Sequence, residues 1–457
     1  VKTLEDYVHQ HATATPEKAA IVYNDSVISY AQLWAQVCDQ CAQLKNDGVG
    51  EGQLYALKAY PTPDFIVTYL AVHRIGAIAV PLEKDMPDKR FQEFSKSLKN
   101  TQIKSDEDQP LETIADILFT TGSTGAQKGV MISQRALLAD TDNLIQAQGY
   151  SSDTVFVICG PLNHFGCLSK LWPVLIQGGT LILLDGMKDI NAFFQAFNYP
   201  SHMFATFLVP ASIRILLLSA KDRLGQLVDK IDFIETGGAA LSQSDMESLC
   251  AQLPHARLYN TYASTETGII STYDFNRQPT VAGCVGQPMP HSSFFINPDH
   301  TIACKGETLM SGYLNDPALT DSVYHDDTVF TSDLGAIDAT GNLHIKGRNN
   351  NVINIGGYKV SPEEVENVAL ACPVIKDCIC FHTVSPIFGE TIKLLYVVKE
   401  GATLSKRDLA MFIAARLESY KVPRIFEETN VIRHTYNGKL DRKGYQCSGR
   451  PCTGHPQ

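Results

Sequence analysis

The chain has 457 residues, of which 44% are hydrophobic and 19% charged, and its formal net charge is −11. That length accommodates two or three domains, and the composition is that of a protein with a large buried core. The negative balance argues against a general binder of nucleic acid or anionic membrane, so an anionic ligand must be held by a local site.

The stretch Tyr30 to Leu44 carries apolar residues at helical spacing. It contains Cys38 and Cys41, a C-x-x-C with no second pair at zinc spacing. These and the other cysteines, twelve in all, read as buried free thiols in a reducing cytosol, which places the protein in the cytoplasm. Neither a signal peptide nor an apolar run of membrane-spanning length is read. The runs starting at Thr154, Thr180, Phe204 and Ile231 are short and apolar, as buried strands are, and Ser212 to Ser219 between two of them is helical. This is α/β layering around a largely parallel sheet, without repeats or low-complexity tracts. Lys346-Gly-Arg-Asn-Asn-Asn is polar and turn-prone. Beyond it Ser361-Pro-Glu-Glu marks a helix start, with Ser361 as cap and Pro362 in the first turn, and the run from Ile392 reads as a strand. Residues 352–457 therefore read as a separate small α+β domain, with a loose tail over the last dozen residues.

Leu118-Phe-Thr-Thr-Gly-Ser-Thr-Gly-Ala-Gln-Lys-Gly sets hydroxyls, glycines and one lysine after an apolar pair. Glycines bring backbone N–H groups close to a ligand, and hydroxyls and a lysine add donors and charge, a combination suited to a polyphosphate. It is not a Walker A loop: the second required glycine falls on Gln127, and Lys128 is followed by Gly129.

The stretch resembles the signature loop of the class I adenylate-forming superfamily, which includes acyl- and aryl-CoA synthetases, adenylation domains and luciferases. Gln127 stands where that family has proline. Further motifs match in order: Gly76 to Leu82, Pro161-Leu-Asn-His-Phe-Gly166, Gly237-Gly-Ala-Ala-Leu241, Asn260-Thr-Tyr-Ala-Ser-Thr-Glu266, Thr331-Ser-Asp-Leu-Gly335, Gly347-Arg-Asn-Asn-Asn, Ile353 to Val360 and Asn437-Gly-Lys-Leu-Asp-Arg442. The resemblance covers nearly the whole chain. It implies a large N-terminal domain of stacked α/β subdomains (1–349), a hinge (350–351) and a small mobile α+β C-terminal domain (352–457).

It also implies the chemistry. A carboxylic acid attacks the α-phosphate of ATP, pyrophosphate leaves, and the acyl-adenylate is passed to a thiol. Thr121, Gly122, Ser123, Thr124, Gly125 and Lys128 are implied to hold the β- and γ-phosphates. Tyr262 packs on adenine, with Gly237, Gly238 and Ala239 lining the base. Thr265 bonds the α-phosphate, Glu266 binds Mg²⁺, Asp333 takes the ribose hydroxyls, and Arg348 contacts the ribose or phosphate side. Lys439 is the adenylation lysine, reaching both the carboxylate and the α-phosphate. Asn350 falls at the hinge position, and Gly356 and Gly357 line the tunnel for the thiol.

His164 gates the acyl pocket in this reading. Asn163, Phe165, Cys167, Phe207 and Val209 form a mainly apolar wall, with Gly238 and Ala263 beside it. The stretch 161–175 has no acidic residue for a substrate ammonium, which disfavours an α-amino acid. Ala263 adds a methyl where the family has glycine, worth about 1–3 kcal/mol at most, and leans the choice toward a short, medium or aromatic acid. Only 36 residues separate Pro81 from Leu118, a segment shorter than the family's. The leading expectation is an acid–CoA ligase using ATP, Mg²⁺ and coenzyme A. The enzyme-class alternative loads the phosphopantetheine of an acyl carrier protein. A degenerate nucleotide-binding regulatory protein is the remaining alternative, suggested by Gln127, Ala263, Asn350 and the short segment between Pro81 and Leu118, and opposed by Lys128, Thr265, Glu266, Asp333, Arg348 and Lys439.

Overall fold

The four short apolar runs all become strands: Val155–Ile158, Thr180–Leu183, Phe204–Phe207 and Ile231–Gly237. The structure is a computed structural model that describes residues 2–24, 26–98, 101–103, 110–121, 127–239, 241, 243–348, 353–355, 358–360, 362–385, 389–433 and 445. The first two strands are buried along their whole length, and the other two nearly so. Covered on both faces, they need no apolar–polar alternation. They lie parallel in the centre of an eight-stranded sheet, with Arg257–Ser264 continuing the parallel run beside Ile231–Gly237. Antiparallel strands, Gly268–Asp274 and Ser26–Ser29, close its two edges.

Two further sheets complete this part of the chain. One has five strands, in the order Gly312–Tyr313, Gln127–Ser133, Ile114–Thr121, Ile78–Leu82, Leu54–Lys58. The other is antiparallel and includes Thr301–Gly306, Thr328–Ile337 and Leu343–Arg348. Local signals set the helices. Ser133 caps the helix Gln134–Gln148 by accepting the Ala136 N–H, and Gly149 ends it in the left-handed conformation. The helix Pro210–Ser219 starts on its proline. Between Leu82 and Ile114 the described residues hold one helix, Asp88–Leu98, and a single 3-10 turn, Pro110–Glu112.

The chain divides into two compact units. The first comprises Val1–Lys84, Asp88–Thr120 and Lys128–Asn349, and the second Asn350–Gln457 with Asp85–Pro87 and Thr121–Gln127. The second unit has a three-stranded sheet, with Ile375–Ser385 antiparallel to Gly389–Val398 and Ile425–Glu428 parallel to it. Helices Pro362–Leu370 and Lys406–Ala414 pack apolar residues such as Val365, Leu409 and Ile413 into the same core as Ile392 and Leu394.

Two sequence expectations are corrected. The Tyr30–Asn46 helix buries Tyr30, Leu33, Val37 and Leu44, so Cys38 falls outside the apolar stripe and is exposed, while Cys41 is half-buried. The ten described cysteines are free, and seven of them are buried. Lys346-Gly-Arg is not a turn but the end of the strand Leu343–Arg348, where ladder pairing overrides polar composition. The predicted cap Ser361 and the tail after Tyr445 lie outside the described residues. No described helix is long and apolar enough to cross a membrane.

Candidate active site

The carboxyl ends of parallel strands are where an open α/β sheet binds ligands, because the connections there leave a crevice. Phe207, Gly237 and Ser264 stand at three such ends. Glu235 is in register with Phe207, and Gly237 with Thr261. A Cβ on Gly237 would come 2.8 Å from the Thr261 carbonyl oxygen, so only glycine lets the strands stay this close. Gly238 follows with φ +77° and is exposed, and Ala239 is half-buried.

Tyr262 and Asp333 meet directly. The Tyr262 hydroxyl donates to Asp333 Oδ2 at 2.8 Å, and the Asp333 N–H donates to Thr331 Oγ1 at 3.1 Å. Both residues are buried. Burial, and then the Asp333 charge, push the Tyr262 hydroxyl well above its ordinary range, so it stays a donor. Backbone pairing sets Asp333 opposite Arg348.

Lys128 and Glu266 are joined through a residue that the sequence reading passed over. The Tyr313 hydroxyl donates to Glu266 Oε1 at 3.0 Å, and the Lys128 ammonium lies 5.3 Å from the centre of the Tyr313 ring. The short strand Gly312–Tyr313 pairs with Gln127–Ser133, which brings the three side chains together. The turn carrying Thr265 and Glu266 is braced from within. The Ser264 and Thr267 N–H groups each donate to the other's hydroxyl, and the Met310 N–H donates to the Glu266 carbonyl. Thr265 is half-buried at its tip. Among the described residues no three His, Cys, Asp or Glu side chains gather as a metal cage. A single partly exposed carboxylate suits Mg²⁺, which keeps water and phosphate oxygens as its other ligands.

His164, expected at the acyl side, is half-buried, at the start of the short helix Phe165–Leu168. Its Nε2 is 3.4 Å from Glu83 Oε1. Phe165 and Cys167 are buried in the main core, with Phe165 edge-on to Trp172, and Asn163 is buried. Phe207 and Val209 are half-buried, as is Ala263. Beside Phe207 lies a group the sequence reading did not include: Lys170 and Glu235 form a buried ion pair at 2.8 Å, with the Lys170 ammonium 5.4 Å from the Phe207 ring centre. Burial pushes the Cys167 thiol up, out of the reactive range.

The AMP-binding enzyme family model matches residues 8–104 and 88–314, and the AMP-binding enzyme C-terminal domain matches residues 364–439. The chain belongs to the AMP-binding enzyme family. The first match comes in two pieces that meet within 88–104, inside the segment that looks short. This AMP-binding enzyme is 26% identical over 500 aligned residues to an indoleacetate–CoA ligase of Aromatoleum aromaticum, covering 96% of each chain. It is 29% identical over 344 residues to a 2-succinylbenzoate–CoA ligase of Staphylococcus epidermidis, covering 73% of this chain and 69% of that one. Its fold matches that of an amide bond synthetase from Marinactinospora thermotolerans with a TM-score of 0.84 at 21% identity, over 97% of this chain and 99% of the other.

Of the residues singled out in this AMP-binding enzyme, Gly122 to Gly125, Asn350, Gly356, Gly357 and Lys439 lie outside the described residues, and Thr121 and Arg348 are described in their backbone alone. The sequence reading missed Tyr313, Glu83, Lys170 and Glu235. Glu235 left a signal, a charge inside the apolar strand run Ile231-Asp-Phe-Ile-Glu. Tyr313 left none, because its contacts come from strand pairing across about 180 residues of chain.

Proposed function

We propose that this chain activates a carboxylic acid with ATP and transfers the acyl group to the thiol of coenzyme A. The observation that carries the reading is the pairing of Tyr262 with Asp333, and of Lys128 with Glu266 through Tyr313, beside the ends of the parallel strands. The family membership and the ligase relatives support it.

In the first step a carboxylate oxygen attacks the α-phosphorus, and the bond to the pyrophosphate oxygen breaks. Both reactants are anions, so the site must supply positive charge and fixed orientation. In this reading the loop 121–125 and Lys128 hold the β- and γ-phosphates, and Thr265 holds the α-phosphate. Tyr262, Gly237, Gly238 and Ala239 hold the base, Asp333 and Arg348 hold the ribose side, and Lys439 meets the carboxylate and the α-phosphate. Glu266 would hold Mg²⁺, which supplies charge neutralisation to the phosphate oxygens. In the second step the thiol attacks the acyl carbon and AMP leaves with the electron pair of the anhydride bond. The hinge at Asn350 between residues 1–349 and 352–457, and the Gly356-Gly357 loop, serve this second step. His164 stands at the acyl end. The free, mostly buried cysteines support a cytoplasmic setting.

The test is ATP–pyrophosphate exchange over a panel of short, medium and aromatic acids, then AMP release with and without coenzyme A. Exchange plus stimulation by coenzyme A is the expected result. Exchange without stimulation shifts the acceptor to a carrier-protein thiol, and ATP binding with no exchange on any acid overturns the reading.

A further inference from the structure

We infer that the acyl pocket ends on the Lys170–Glu235 ion pair, and that the acid carries a hydrogen-bond donor, not a second carboxylate, at the end far from its reacting group. This rests on the acid-activating reading above. Lys170 and Glu235 expose 2% and 1% of their side chains, and their link uses Glu235 Oε1. Glu235 Oε2 is buried without a hydrogen-bond partner. Stability does not account for such a pair, since well-packed apolar residues usually replace a buried ion pair at no loss. An orphaned acceptor makes the arrangement costlier still.

Position gives the pair a use. Glu235 is in register with Phe207, and the Lys170 ammonium sits by the Phe207 ring. A Cβ added to Gly166 would lie 3.2 Å from that ring, and one added to Gly237 3.8 Å. The ring therefore stands between the helix that begins after His164 and the Gly237-Gly238 turn, and the two glycines leave it room to swing. His164, Gly166, Phe207 and Ala263 are all partly exposed, so the crevice opens on this side, and the buried ion pair lies beside the ring. A second orphan, the buried Tyr150 hydroxyl, lies near enough for the Glu235 charge to act on it.

The chemistry of the occupant follows. A carboxylate paired to lysine only accepts, so Oε2 is completed by an O–H or N–H. A second substrate carboxylate would face Glu235, with Glu83 beside His164, while Lys170 is already engaged. A phenolic or ring N–H acid fits; a dicarboxylic acid does not.

The experiment compares kcat/KM in pyrophosphate exchange for cinnamic acids bearing para-hydroxyl, para-hydrogen or para-carboxylate. The wild type is expected to prefer the hydroxyl over hydrogen by at least about tenfold and to use the dicarboxylate least. In the double variant Lys170→Met/Glu235→Leu, with thermal stability and ATP affinity retained, the hydrogen form is expected to overtake the hydroxyl form. Glu235→Gln is the second variant, and it should raise use of the dicarboxylate. Exchange that ignores the substituent in the wild type overturns the inference alone, without reference to any variant, as does an unchanged order in the folded double variant. No exchange with any acid overturns the acid-activating reading and this inference with it.

Discussion

Tyr313 supports two charges of opposite sign, with its hydroxyl on Glu266 and its ring by Lys128. Tyr313→Phe keeps the ring and removes the donor. A hydrogen bond to a charged group is worth about 1.5–3 kcal/mol, so Mg·ATP affinity should fall about tenfold or more. Calorimetric titration with ATP at low and high Mg²⁺ checks this, with the loss largest at low Mg²⁺. The KM for the acid should stay as it is, because Tyr313 contacts Lys128 and Glu266, the residues proposed to act on the phosphates. Tyr262→Phe breaks the bond to Asp333 and should likewise raise the KM for ATP, about tenfold, leaving Mg²⁺ dependence unchanged. An equal response to Mg²⁺ in the two variants would contradict the division of labour between them.

The strand Ile231–Gly237 does more than fill the sheet. Its last residue must be glycine, because a Cβ there would press on the Thr261 carbonyl of the neighbouring strand. Gly237→Ala should cost about 1–3 kcal/mol, the usual cost of overpacking. It should also widen the turn proposed to bind the base, so a lowered melting temperature and a weakened ATP affinity are expected together. A melting shift alone would leave the turn without a part in binding. The neighbouring strand Arg257–Ser264 ends in a turn locked by Ser264 and Thr267, which holds Thr265 and Glu266 on a rigid support.

The first unit is tied together by a buried charge network. His73 bonds Glu5 through Nδ1 and Asp116 through Nε2, each at 3.1 Å; Tyr69 donates to Asp116, and Trp172 donates to Tyr69. Burial pulls the imidazole down, but Asp116 and Glu5 outweigh it and hold His73 at about 10, against 6.5 ordinarily. The network's contribution is therefore complete below pH 6.5 and is lost as pH rises toward 10. Between about pH 7 and 8.5, before unfolded cysteines titrate, stability should fall by up to ~1.4 kcal/mol per pH unit. Both tryptophans, Trp34 and Trp172, lie in the first unit, so fluorescence-monitored urea unfolding reads this unit and not the second. His73→Gln should flatten the slope. Lys439→Ala should cut pyrophosphate exchange by about 10²–10³ while ATP still raises the melting temperature of the first unit.

The parallel strands were legible in the chain because a strand covered on both faces is a continuous apolar run, and the helices because Ser133, Gly149 and Pro210 are local stop and start signals. Family membership was legible for a related reason: phosphate chemistry concentrates glycine, hydroxyl and lysine within one short loop, and the other motifs follow in fixed order. Long-range pairing stayed hidden. Cys38 turned outward because the stripe of its helix is set by the core it faces, and Lys346-Gly-Arg became strand because it folds back to pair with Asp333 and Leu334 of the preceding strand. Tyr313 reached Glu266, Glu83 reached His164, and Lys170 reached Glu235 across 47, 81 and 65 positions of sequence. Residue type and spacing identify a loop that can hold phosphate, since that chemistry is local. Which charges neutralise one another, as Lys170 and Glu235 do, depends on side chains from separate strands and helices, so it was decided only when the sheets assembled.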